Sequence, residues 1–99
     1  MREKSFLEQY ETFVDEMFFV HSDKSYVPIA LGGEVGEVLN EIKKEMRDGV
    51  SRQEEIKYEI GDTLYYLTKL AHERGWSLED IMNANIDKLT ARQLATGRP

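Results

Sequence analysis

GGEVGEVLNEIKKE, residues 32–45, carries two periodic signals at once. Val35, Val38, Leu39 and Ile42 return at steps of three and four, the spacing of one helix face rather than the alternation of a strand. Glu34, Glu37, Glu41 and Glu45 keep nearly the same rhythm beside that face. Like charges so spaced repel by a few tenths of a kcal/mol per pair. A helix that lines up acids along its own apolar stripe invites a search for what they serve.

Working outward, apolar periodicity predicts four helices. The first covers 5–20, with Phe6, Tyr10, Phe13, Val14, Met17 and Phe18 as its stripe. Residues 21–27 read as a loop ended by Pro28, a residue suited to a first helical turn. The second helix covers 28–47 and is stopped by Gly49. Ser51 with Glu54 forms a capping box for the third, 52–74, which ends at Gly75. Ser77 with Asp80 forms another for the fourth, 78–94, and a frayed tail follows from about 95. No strand pattern competes. Short connections favour an antiparallel four-helix bundle in a single domain spanning 1–99.

Bulk properties narrow the functions open to it. With 99 residues the chain leaves much of its surface exposed, and without cysteine it has neither disulfides nor thiolate ligands. A bound metal or other copies of the chain are the remaining supports. A formal net charge of −6 argues against a nucleic-acid polymer or an anionic membrane as the main partner. No apolar run has the length of a membrane span, and the charged N-terminus does not read as a signal peptide, so a soluble cytoplasmic protein is expected.

Acids recur on the next helix. At about 100° per residue, Glu59, Asp62 and Tyr66 flank the stripe Ile56, Ile60, Leu64, Leu67 and Ala71 on the same side as Glu34 and Glu37 flank theirs. A short turn between the two helices would let the pairs converge. Four carboxylates gathered there would not all stay ionised without cations, and an all-oxygen ligand set suits a hard ion, Mg²⁺ or its substitute Mn²⁺. Gly36 and Gly61, inside the two pairs, would allow another helix to approach. The competing reading is a solvated acidic face on a non-catalytic interaction module. A di-iron site is excluded, because neither His21 nor His72 has a Glu three residues before it.

The ordered set GEVGEVLNEI, a spacer, then EIGDTLYYL and NANIDKLTAR resembles the MazG-like all-α nucleotide pyrophosphohydrolases over about 29–92. Their E-x-x-E and E-x-x-D positions fall on Glu34, Glu37, Glu59 and Asp62. The resemblance implies a Mg²⁺-dependent hydrolysis of a nucleoside triphosphate to the monophosphate and pyrophosphate. In that chemistry a water deprotonated with help from Glu34 or Glu37 attacks the α-phosphorus. It implies phosphate contacts from Lys88 and Arg92, with Asn85 on the same face, and a dimer or tetramer with sites near subunit interfaces. G-E-V-G-E also occurs in dCTP-cleaving members, which directs attention to deoxynucleotides such as dCTP or dGTP and to modified nucleotides. A dUTPase-like helical hydrolase is the alternative within the enzyme class. Tyr66 is a candidate for a phosphate or sugar hydroxyl. Tyr65 is expected to point elsewhere, Phe13 and Phe18 to pack in the core, Phe19 to wall a pocket or interface, and Trp76 to cap the bundle end. Glu41 is a candidate outer-shell or occasional metal ligand, and Glu45 a solvated acid paired with nearby Lys or Arg.

Overall fold

A computed structural model describes residues 3–17 and 23–98. Four helices follow one another: α1 (Phe6–Met17), α2 (Tyr26–Asp48), α3 (Gln53–Glu73) and α4 (Leu78–Thr96). Among the described residues there is no strand. Phe18, Phe19 and His21 lie outside the described residues.

The helix ends follow from local chemistry. Ser5 and Glu8 exchange hydrogen bonds at the start of α1, Oγ accepting from the Glu8 N–H at 3.1 Å and Oε1 from the Ser5 N–H at 3.1 Å. α2 begins two residues before Pro28, whose missing N–H falls in a first turn that has no intrahelical acceptor for it. Gly49 at φ 66° and Gly75 at φ 82° take the left-handed conformation that follows α2 and α3. The box at Ser77 and Asp80 forms as expected. α4 runs on through Thr96 to a Gly97 cap, further than the expected tail allowed.

The box at Ser51 does not form. Arg52 is the N-cap of α3, and its backbone N–H donates instead to Glu45 Oε2 at 2.7 Å. Glu41, buried, is ion-paired with Arg52 and with Lys44 Nζ at 3.1 Å. Glu41 and Glu45 thus close the α2–α3 turn, Glu41 in a structural ion pair and Glu45 through the backbone N–H of Arg52 rather than a basic side chain. From this turn the register runs outward: Glu41 meets Arg52, Glu34 meets Glu59, and Tyr26 meets Tyr66.

The interior is thin. Among the described residues its buried apolar members are Val14, Val27, Ala71 and Leu78, with Thr68 enclosed beside them. Thr68 settles its hydroxyl by donating to the Leu64 carbonyl at 2.7 Å. Phe13, placed in the core from its spacing, is half exposed beside Tyr10, and Trp76 is also half exposed. Val35, Leu39, Ile42, Ile60, Leu64 and Leu67 remain exposed on α2 and α3. A Cβ added at Gly36 or Gly61 would meet nothing within 4 Å, so no close helix approach within the chain explains either glycine. The accessible surface is 7789 Å², against about 5,800 Å² for a compact monomer of this mass. The radius of gyration, 16.7 Å, likewise exceeds the roughly 13 Å of a compact chain this long.

Candidate metal centre

α2 and α3 position the acids. Glu34 comes from the third turn of α2, and Glu59 and Asp62 from successive turns of α3, where a three-residue step returns to nearly the same face. One carboxylate oxygen from each of Glu34, Glu59 and Asp62 lies within 4.8 Å of the others. Glu34 and Glu59 are half-buried and Asp62 is exposed. Glu37, a turn further along α2, is exposed and outside this trio, although its charge is felt at Glu34.

The electrostatics record the crowding. Burial pushes the Glu34 carboxyl above the usual carboxylate range. The charges of Asp62 and Glu59, a hydrogen bond shared with Glu59 and the charge of Glu37 push it the same way. In the absence of a cation, a proton on Glu34 would relieve that crowding. A divalent ion does the same work with more charge. Three oxygen donors from two helices, open on the Asp62 side, fit a hard cation that keeps waters or ligand oxygens in its shell.

Tyrosines surround the acids, and most of them were not legible beforehand. Tyr66 is hydrogen-bonded to Tyr26 and lies within range of the Glu34 charge. Tyr65 packs on its neighbour: its ring meets Tyr66 edge-on, centroids 5.1 Å apart. From α1, Tyr10 brings its hydroxyl into range of Asp62; burial and that charge raise its pKa. Tyr10 was visible only as one member of the α1 stripe and Tyr26 only as a loop residue. Which ring meets which acid depends on how α1 crosses α3.

The α4 candidates lie on the surface. Asn85, Lys88 and Arg92 are exposed on α4. Among the described residues, no hydrogen bond or ion pair joins Asn85 or Lys88 to the acids. The named charges that act on Glu34 all belong to α2 and α3.

A family model described as the MazG nucleotide pyrophosphohydrolase domain matches residues 22–95. The chain belongs to this family. The MazG match contains all four motif acids and the whole of α2, α3 and the Lys88–Arg92 stretch. A relative, the "Gene 37 protein" of Mycobacterium phage L5, is 38% identical over 74 residues, covering 70% of this chain and 65% of that protein. The aligned part thus spans slightly less than two thirds of that relative's length. No solved structure matches. No described helix of the MazG chain is long and apolar enough to cross a membrane.

Proposed function

We propose that this MazG domain hydrolyses a nucleoside triphosphate between its α- and β-phosphates, giving the monophosphate and pyrophosphate. The observation that carries the reading is the convergence of Glu34, Glu59 and Asp62 oxygens within 4.8 Å from two helices. A solvated acidic face would spread its carboxylates to lower their repulsion. This one gathers them where burial makes ionisation costly.

Glu34, Glu59 and Asp62, joined by Glu37 after a side-chain rotation, would hold Mg²⁺, with Mn²⁺ as a substitute. Bound there, the ion supplies positive charge against the triphosphate oxygens. Glu34 or Glu37 then takes a proton from the attacking water, which adds in line at the α-phosphorus as pyrophosphate leaves. Tyr66, with Tyr26 holding its hydroxyl, is placed to meet a sugar or phosphate oxygen. Lys88 and Arg92, with Asn85, would steady the phosphates, and Arg92 can do so with two parallel N–H groups. We read Lys88 and Arg92 as serving the acidic cluster of a second subunit. The excess surface and the exposed apolar faces of α2 and α3 support a bundle completed between copies in a dimer or tetramer. Deoxynucleotides such as dCTP or dGTP, or modified nucleotides, are the substrates to test first, given the G-E-V-G-E stretch.

The deciding experiment is a turnover screen over common, oxidised and deaminated triphosphates with Mg²⁺, run alongside Glu59→Gln. We expect monophosphate and pyrophosphate from the native chain. In the variant kcat should fall at least about 100-fold with helicity unchanged. Products of diphosphate and orthophosphate would place the attack at the wrong phosphorus, and native-like turnover by the variant would remove the acids from the mechanism.

A further inference from the structure

His72 sits on α3 away from the acids and plays no part in the chemistry above. Its ring nitrogens face two carboxylates of α1: Nδ1 is 2.9 Å from Asp15 Oδ1 and Nε2 is 3.0 Å from Glu11 Oε1. A neutral imidazole has one N–H, so one of these contacts would set lone pair against lone pair. Only the imidazolium can donate to both. Glu11 Oε1 also accepts the Leu78 N–H at 2.6 Å, which brings α1, α3 and the start of α4 onto one oxygen. The contacts lie on the same short helix as Tyr10, whose hydroxyl reaches the charge of Asp62. Beyond Val14, α1 buries little that would otherwise seat it.

We propose that His72 is a doubly donating imidazolium latch, a positioning residue that seats α1, and with it Tyr10, beside the acidic cluster. The groove around it is lined from α1 and its lead-in by Lys4, Glu8, Glu11 and Asp15, and from the α3–α4 turn by the uncharged Gly75, Trp76 and Ser77. On α3, Lys69 Nζ lies 3.6 Å from Asp15 Oδ1. Burial alone would lower the His72 pKa; the hydrogen bonds and charges of Asp15 and Glu11 outweigh it and raise the value. The latch is therefore complete below the ordinary histidine value of about 6.5 and is lost as pH rises through the higher folded-state value. Its effect on turnover rests on the reaction proposed above; the latch itself does not.

The test is a pH titration of the full chain by side-chain ¹⁵N spectroscopy of His72, with amide exchange of α1 followed across the same range and corrected for intrinsic rates. Both ring nitrogens should still carry protons above pH 6.5, and α1 protection should fall as they titrate. Asp15→Asn supplies an N–H to Nδ1, so a neutral ring can satisfy both partners. There the titration should move down from the native value, the Nε2–H tautomer should appear, and α1 protection should become flat with pH. A native His72 that titrates at or below about 6.5, or α1 protection indifferent to its titration, overturns the latch. In turnover assays KM should rise roughly tenfold through the same titration while kcat follows a separate profile. A flat KM in an active enzyme overturns the link to the site. A titrating latch in a chain that cleaves no triphosphate sustains the latch and overturns the reaction alone.

Discussion

At Glu34 two demands conflict. The side chain is half-buried among acids, and its carboxyl is pushed above the usual range by burial first and by Asp62 and Glu59 next. A folded-state value above the unfolded one, about 4.3, means that ionised Glu34 costs stability at neutral pH. That cost disappears as pH falls through the raised value. Glu34→Gln in the absence of divalent ions should therefore raise the melting temperature by roughly 2–5 °C at pH 7. The gain should shrink toward pH 4. The native chain, at Mg²⁺ a hundredfold above its dissociation constant, should gain about 2.7 kcal/mol that the variant does not recover. Circular-dichroism melts with chelator and with Mg²⁺ check both outcomes.

The helices depend on how their ends are finished. Glu41 is held below the usual carboxylate range chiefly by its hydrogen bond from Arg52, with Lys44 adding to it against the cost of burial. A depressed carboxylate contributes stability above its unfolded value and loses it as pH falls through the folded one. Arg52→Met leaves Glu41 with Lys44 alone, so the melting temperature should fall by several degrees at pH 7. The gap from the native chain should close in acid, as a melt series from pH 7 to pH 3 will show. At the other joint, Ser77→Ala removes half of the box that starts α4 and should cost about 1 kcal/mol in urea unfolding. Because Leu78 begins α4 on the Glu11 carboxylate, that loss should also appear as faster amide exchange in α1.

For the whole molecule the thin interior is the governing fact. The surface excess of about 2,000 Å² over a compact monomer is the size of a stable interface. Val35, Leu39 and Ile60 are exposed along α2 and α3, around a hollow that Val38 and Thr63 help to line. Light scattering should return a mass of at least two chains. Leu39→Glu should lower that mass and, since Lys88 and Arg92 are proposed to serve an acidic cluster across the interface, should lower turnover with it.

The amino-acid order was sufficient for most of what depends on neighbours along the chain, the box expected at Ser51 being the exception. Apolar steps of three and four marked the four helices, Gly49 and Gly75 marked their stops, and the three-residue steps placed Glu59 with Asp62 on one face. The pairing of those acids with Glu34 was legible too, because a short turn leaves α2 and α3 few ways to lie. Tertiary structure alone decided the rest. It drew Glu41 and Glu45 into the turn with Arg52, exposed Phe13, turned Tyr65 toward Tyr66, and set His72 between two carboxylates of a helix far away in sequence. Periodicity reports the angle of a side chain about its own helix axis. It carries no information on the crossing of one helix over another, and that crossing chooses the partner.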